Sequence, residues 1–125
     1  MNLDKEKDPS QKEITFILDL LNSSKLIEAK KEIDKKIINF PDSSILYNIL
    51  GAVFTNQKQF QKSIKSYKKS LEINPNYAQA YNNLGIAYHN LNEQNVAIEN
   101  YKKAINLKKN FSEAYNNLGN AMRDI

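Results

Sequence analysis

The chain has 125 residues, of which 41% are hydrophobic and 26% are charged, a composition typical of one folded domain. It contains no cysteine, which excludes a disulfide framework and thiolate metal sites. No stretch approaches the roughly 18 consecutive apolar residues of a membrane span, and the charged residues 1–8 do not form a secretory signal. We therefore expect a cytoplasmic protein without a membrane span.

Hydrophobic spacing predicts an all-α protein. In each segment, apolar residues recur at intervals of three and four, as on one face of an α-helix. Ser10 and Glu13 have the spacing of a capping box, which predicts the start of the first helix. Asn92 follows the fifth helix where a left-handed residue would close it, a conformation that asparagine tolerates. The predicted helices cover about residues 10–22, 25–39, 44–56, 60–73, 78–91, 96–107 and 112–125.

The sequence repeats every 34 residues. The segment AYNNLG at 80–85 returns at 114–119, and LYNILG at 46–51 occupies the same place one interval earlier. A fixed period of this size is typical of stacked supersecondary units. We predict a disordered tail at 1–9, a degenerate helix pair at 10–43, repeats at 44–77 and 78–111, and one terminal helix at 112–125.

These columns resemble the tetratricopeptide repeat (TPR) from residue 44 onward, and less closely from residue 10. That repeat carries an aromatic residue, a Leu-Gly pair, a second aromatic, small residues that face the glycine, and a closing proline. The matching residues are Tyr47, Tyr81 and Tyr115; Leu50-Gly51, Leu84-Gly85 and Leu118-Gly119; Phe54 and Tyr88; Ser63 and Ala97; Tyr67 and Tyr101; Ser70 and Ala104; and Pro75.

Several positions depart from this pattern. Met122 replaces the second aromatic, and Lys109 replaces the proline. In the first pair, Glu13 replaces the leading aromatic and Ile17 replaces the glycine, so we expect that pair to be splayed, like a degenerate terminal repeat. The resemblance implies a right-handed superhelical TPR solenoid, with the first helix of each pair on a concave surface and the second helix outside.

The first-helix residues that packing does not use are mostly asparagines. A carboxamide presents a donor and an acceptor that match an extended peptide backbone. Asn83 and Asn117 resemble the asparagine ladder of the O-GlcNAc transferase family, which Ile49 interrupts one repeat earlier. Equally, these side chains could be solvent-facing polar residues without a ligand. The candidate peptide-binding groove residues are Asn48, Asn82, Asn83, Ile86, His89, Asn90, Asn116, Asn117 and Asn120.

Other kinds of site find little support in the sequence. A carboxylate clamp of the kind found in this family needs cations, yet the corresponding positions carry none. His89 is the only histidine, and no glycine-rich phosphate loop or paired carboxylate accompanies it. We expect no enzyme activity, cofactor or metal. The positions that correspond to the clamp are Asn48, Ala52, Asn83, Glu113 and Asn117.

The net charge of +4 leaves open an acidic or nucleic-acid partner. A nucleic-acid groove would need cations on the concave side, whereas the lysines lie on second helices. We interpret them as a solvated outer surface, supported by pairs such as Glu99 with Lys103 and Glu32 with Lys36. These lysines are Lys30, Lys31, Lys35, Lys36, Lys62, Lys65, Lys68, Lys69, Lys102 and Lys103.

The sequence therefore predicts a protein-binding scaffold whose concave groove holds an extended or helical segment of a protein or peptide partner. One alternative is the N-terminal targeting array of a larger enzyme, such as a glycosyltransferase or a sulfotransferase. Another alternative is a homo-oligomer formed through the terminal helix 112–125, whose Tyr115, Leu118 and Met122 lack a covering helix.

Overall fold

The computed structural model describes residues 6–125, which form seven α-helices and no β-strand. Each predicted helix is present, with bounds within about two residues of the prediction. The all-α prediction is confirmed. The helices are α1 (Gln11–Asn22), α2 (Leu26–Asn39), α3 (Ser44–Asn56), α4 (Phe60–Ile73), α5 (Ala78–Asn90), α6 (Gln94–Leu107) and α7 (Ser112–Arg123).

The first helix begins at the predicted capping box. The Ser10 hydroxyl accepts a hydrogen bond from the Glu13 amide at 3.2 Å, and the Glu13 carboxylate accepts one from the Ser10 amide at 3.0 Å. Residues 1–5 of the predicted tail lie outside the described residues. Pro9 is buried, and Asp8 accepts a hydrogen bond from the Ser43 hydroxyl at 2.6 Å. The expectation of disorder is therefore wrong for these two residues.

The same tight turn joins the two helices of every pair. Ser24, Lys58 and Asn92, which lie 34 residues apart, all have positive φ values of 59° to 61°. In each turn, the next amide returns to a carbonyl five residues earlier, as in the Glu93–Tyr88 bond of 2.9 Å. The prediction of a left-handed residue at Asn92 is confirmed, and the sequence did not reveal the other two positions.

The helices stack in chain order as a solenoid. The pairs α3/α4 and α5/α6 pack closely, whereas α1 and α2 contact each other much less, as expected for a splayed first pair. Along the stack, α3 contacts α5 and α5 contacts α7. Within residues 6–125, the second helices do not contact one another to a comparable extent. The first helices α3, α5 and α7 therefore lie on the inner side of the curve.

The hydrophobic core lies in the seams between helices. Around α2 the core is aliphatic and centres on the fully buried Ile17 and Ile33. In the following two pairs the core contains the aromatic side chains of Tyr67 and Tyr101, and each ring lies against the glycine of the partner helix. The small residues Ser63 and Ala97 are buried beside the rings, but the atoms nearest each glycine belong to tyrosine. The glycine thus makes room for a ring, which corrects the expectation that it faces a small residue.

No helix within residues 6–125 combines the length and the apolar character needed to cross a bilayer.

Candidate functional site

Hydrogen-bonded carboxamides link the first helices across the repeats. Asn83 Nδ2 donates to Asn48 Oδ1 at 3.0 Å, and Asn117 Nδ2 donates to Asn82 Oδ1 at the same distance. In both pairs the two residues are 35 positions apart in the sequence, so the same hydrogen bond recurs from one repeat to the next. We call these four residues the amide ladder. It joins α3 to α5 and α5 to α7 on the inner side of the solenoid.

The two accepting asparagines of the ladder are buried. Asn82 has 0% exposure and Asn48 has 7%. Their Oδ1 atoms accept the ladder bonds, and their Nδ2 groups also have partners. Asn82 Nδ2 donates to Glu113 Oε1 at 3.1 Å, and Asn48 Nδ2 donates to the Tyr77 hydroxyl at 3.3 Å. These partners matter because a buried carboxamide without hydrogen bonds would cost stability. The expectation that Asn48 and Asn82 present open amides to a peptide is therefore wrong.

The two donating asparagines are half-buried and differ in what they leave free. Asn83 Oδ1 accepts a hydrogen bond from Gln79 Nε2 at 3.0 Å, so both polar groups of Asn83 have partners. Within residues 6–125, Asn117 Oδ1 makes no hydrogen bond, although the Asn117 Nδ2 group belongs to the ladder. Asn117 therefore keeps an acceptor for a ligand.

The other candidate asparagines are exposed. Asn90 Nδ2 donates to the Ile86 carbonyl of its own helix at 2.8 Å, and Asn120 Oδ1 accepts from the Arg123 guanidinium. Asn116 forms no side-chain hydrogen bond with any described residue. The half-buried Ile86 packs beside the cluster that contains Tyr101 and Leu118. The accessible hydrogen-bonding groups of this face are thus concentrated on α5 and α7.

His89 also links two first helices. Its Nε2 atom lies 2.8 Å from Asp124 Oδ2, just beyond the end of α7. The two residues are 35 positions apart, which is the spacing of the ladder pairs. The sequence indicated His89 but not Asp124, although this shared spacing was visible in it. His89 therefore lies at one end of the inner face, where it contacts Asp124.

On α3, the residue that corresponds to His89 is Thr55, and its side chain points into the seam between α3 and α4. Thr55 Oγ1 lies 2.9 Å from Ser63 Oγ, 3.1 Å from the Tyr67 hydroxyl and 3.0 Å from the Gly51 carbonyl. Burial raises the pKa of Tyr67 to about 12, against the lowering effect of its Thr55 hydrogen bond. This hydroxyl cluster serves packing between α3 and α4, so the inner side of α3 offers fewer groups to a ligand than α5 and α7 do.

The loop residue Tyr77 was not indicated by the sequence, yet it completes one end of the ladder. Burial raises its pKa, while the Asn48 hydrogen bond acts in the opposite direction. Its aromatic character alone suggested packing, and nothing in the periodicity marked its hydroxyl as a polar partner. Together these contacts give an inner face rich in uncharged amides, linked by hydrogen bonds across α3 and α5 and open toward α7, where Glu113, Arg123 and Asp124 add charged groups.

The lysines of the second helices lie mostly at the surface, but two predicted ion pairs are absent from the described residues. Lys36 binds Glu13 at 2.6 Å rather than Glu32. Lys103 Nζ lies 5.7 Å from the ring centroid of Tyr81 and does not pair with Glu99. These lysines instead make contacts between helices, which the spacing along one helix does not show.

A family model described as TPR repeat matches residues 51–92 and 87–123. No curated protein matches the sequence. The matched residues contain the repeat columns from Gly51 to Gly119. A resemblance to the O-GlcNAc transferase family in particular is not among these findings.

Solved structures share the fold. A crystal structure of MamA is 27% identical with a TM-score of 0.80, over 89% of this chain and 65% of that chain. The chain thus spans less than two thirds of MamA. The first TPR of Spaghetti (RPAP3), bound to the HSP90 peptide SRMEEVD, is 19% identical with a TM-score of 0.85, over 98% and 97% of the two chains. The Sgt2 TPR domain from Aspergillus fumigatus is 18% identical with a TM-score of 0.86, over 95% and 82%.

Proposed function

The chain belongs to the tetratricopeptide repeat family, and from that premise we propose that it is a protein-binding scaffold. It holds a segment of a partner protein against the inner face of α5 and α7. The open amide groups of this face carry the proposal: Asn116 has no partner among the described residues, and Asn117 keeps a free carbonyl oxygen. An extended backbone needs donors and acceptors of this kind.

The amide ladder supports this function indirectly. Because Asn48, Asn82 and Asn83 hydrogen-bond to other parts of the protein, they hold the three first helices in fixed positions. A face that is rigid before binding loses less conformational entropy when a partner binds. We therefore assign recognition to Asn116, Asn117 and Asn120, and positioning to Asn48, Asn82 and Asn83.

The apolar part of the face lies beside these amides. Ile86 is half-buried between α5 and α7, where it can contact an apolar side chain of the bound segment. Glu113 and Asp124 bring two acidic groups against the single Arg123, so the face has no excess positive charge to attract a terminal carboxylate. An internal segment with one apolar side chain is the partner that fits best. The peptide-bound structure of a TPR domain with the same fold supports segment binding in general.

The experiment is a selection of peptides from a displayed random library, using the purified chain, followed by affinity measurements on the selected sequences. Replacement of Asn116 and Asn120 by Ala together should weaken binding about tenfold, since each lost hydrogen bond is worth roughly 0.5–1.5 kcal/mol. The matched control replaces the exposed Asn95 and Asn106 of α6 by Ala. Equal losses in both double variants would contradict the assignment.

Self-association through α7 is a second candidate function, favoured by its uncovered face. Tyr115 is 50% exposed and Met122 is 55% exposed, and a Cβ atom at Gly119 would meet nothing within 4 Å. At Gly51 and Gly85 the same position is covered by a tyrosine ring. Sedimentation equilibrium should show a dimer that Met122→Lys dissociates. A monomer across the full concentration range would exclude this candidate.

A further inference from the structure

We propose that the seam between α3 and α4 is a second binding site, which takes an acidic peptide segment with a large apolar side chain. A groove of about 600 Å³ opens along this seam. Its floor is apolar and consists of Tyr47, Leu50 and Phe54. Ligand pockets typically span roughly 300–1,000 Å³, so the groove has room for an anchor side chain and its neighbours.

The groove is distinct from the inner face. Tyr47, Leu50 and Phe54 lie three and four residues apart and so share one side of α3. Asn48 and Ala52 project from roughly the opposite side of the same helix, because each residue advances the helix by about 100°. One helix therefore separates the two sites, and a ligand in one does not cover the other.

The rim of the groove carries uncompensated positive charge. Four lysines of α4 line it, against the single acidic residue Glu72. None of these lysines belongs to an ion pair in the part of the chain that the structure describes. Lys62 Nζ lies 5.7 Å from the ring centroid of Phe54, so the charge borders the apolar floor directly. The four lysines are Lys62, Lys65, Lys68 and Lys69.

The next repeat shows that these features do not follow from the fold. Val96 and Glu99 stand 34 residues after Lys62 and Lys65, which removes two cations and adds an acid. The residue 34 positions after Ser66 is the buried Asn100, whose larger side chain donates to the Val96 carbonyl at 2.9 Å. A cavity at the corresponding seam of α5 and α6 has about 200 Å³. The α5/α6 pair therefore does not repeat the wide basic groove.

The chemistry of the groove selects one class of ligand. Nucleic-acid phosphates would pair with the lysines, but the Phe54 ring is only 9% exposed and Lys62 lies over it, which leaves a base little ring face on which to stack. An uncharged apolar segment would cover the floor but leave the lysines unpaired. Only a segment with carboxylates on both sides of a leucine or phenylalanine satisfies both parts of the site. Charge pairing at the rim would mainly speed association, while the anchor would provide specificity.

The test measures fluorescence anisotropy of a labelled peptide, Glu-Glu-Leu-Phe-Asp-Glu-Leu-Leu, with the purified chain. The double variant Lys62→Val with Lys65→Glu copies the residues of the next repeat and should weaken binding about tenfold. Lys102→Val with Lys103→Glu changes the net charge equally on α6 and should leave affinity within about twofold. Circular dichroism confirms that both variants are folded.

Two further peptides and one competitor complete the test. Replacing the acids by Gln, or the apolar residues by Ser, should each weaken binding at least about tenfold. Unchanged binding of the Ser peptide would overturn the proposal, because charge alone would then explain affinity. A loss caused by Asn116→Ala with Asn120→Ala would instead place this peptide on the inner face and would also overturn it. Stronger binding of an oligothymidine competitor than of the acidic peptide would identify a nucleic-acid site in its place.

Discussion

The ring of Tyr101 lies against Gly85 so closely that a Cβ atom at the glycine would come within 2.5 Å of its Cε1 atom. Real Cβ atoms do not approach other atoms so closely, so any side chain at this position must displace the ring. Tyr67 covers Gly51 in the same way. Gly119 is the third member of this column, and no ring covers it.

This difference predicts opposite effects of one substitution at two glycines. Gly85→Ala should destabilise the chain by about 1–3 kcal/mol, because it forces the buried Tyr101 ring to move. Gly119→Ala, in the open α7, should instead stabilise it by about 0.5–1 kcal/mol, since alanine is the better helix former. Urea denaturation of both variants measures the difference. Equal destabilisation at both positions would show that the rings do not explain the glycine column.

Removing the side chain from the left-handed turn position between α3 and α4 should stabilise the chain. Lys58 has a φ of 60°, a conformation that costs a residue with a Cβ roughly 1 kcal/mol and costs glycine nothing. The lysine is exposed, so its loss removes no packing. Lys58→Gly should raise the free energy of unfolding by about 0.5–1 kcal/mol in urea denaturation. Lys69→Gly, in the middle of α4, should lower it, and an increase there would point to a different cause.

These turns show what sequence reasoning could and could not predict. Helix bounds followed from hydrophobic periodicity, because burial of one face imposes a regular spacing. Asn92 was recognised because asparagine itself tolerates positive φ. Ser24 and Lys58 have no such preference, and the turn imposes the conformation on them. Only their places in the 34-residue repeat, combined with that of Asn92, could have revealed them.

The inner face was predicted less completely than the helices. The sequence indicated Asn83 and Asn117 as a pair, whereas each bonds to an asparagine of the preceding first helix. Neighbours such as Asn82 and Asn83 differ by about 100° around the helix, so burial depends on how closely adjacent helices pack. The spacing of residues along one helix gives no information about the distance between adjacent helices. Composition therefore predicted a polar face but not which amides are open.

The burial of Asn82 predicts that its replacement lowers stability more than replacement of Asn116, which lies one repeat later. Asn82→Ala removes a fully buried carboxamide and leaves Asn117 Nδ2 and Glu113 with lost partners. The free energy of unfolding should fall by about 1–3 kcal/mol. Asn116 occupies the equivalent position in the next repeat and is exposed, so Asn116→Ala should change the free energy of unfolding by less than about 0.5 kcal/mol. Thermal and urea melts compare the two, and similar values would contradict the structural role of Asn82.

Alkaline pH should destabilise the chain through Tyr67. Burial raises the pKa of this phenol from 10.0 to about 12. Between these values the unfolded chain loses the proton and the folded chain keeps it, so stability falls as pH rises from 10 to 12. The contribution of Tyr67 is about 2–3 kcal/mol. Burial also raises the pKa of Tyr101 to about 12, so Tyr67→Phe should remove only part of the decline in pH-dependent denaturation, whereas Phe at the exposed Tyr115 should leave the decline unchanged.

Acidic pH should act on the contact between α1 and α2. The Lys36 ammonium, 2.6 Å from the Glu13 carboxylate, lowers the pKa of Glu13 from 4.5 to about 2, and the Ser10 backbone amide adds to this effect. A folded-state pKa below the unfolded value means that the contribution is fully present above pH 4.5. It is lost as pH falls from 4.5 toward 2, where the carboxylate becomes protonated.

Hydrogen exchange of the α1 amides can follow this loss, because local opening of the splayed first pair precedes global unfolding. Protection of α1 should fall across that pH range in the natural chain. Glu13→Gln keeps a capping group at the same position but cannot ionise, so its protection should already be low at pH 6 and should change little on acidification. Glu28→Gln, an exposed acid that forms no ion pair within residues 6–125, serves as the control. If α1 in Glu13→Gln lost protection as steeply as in the natural chain, another group would have to hold α1 against α2.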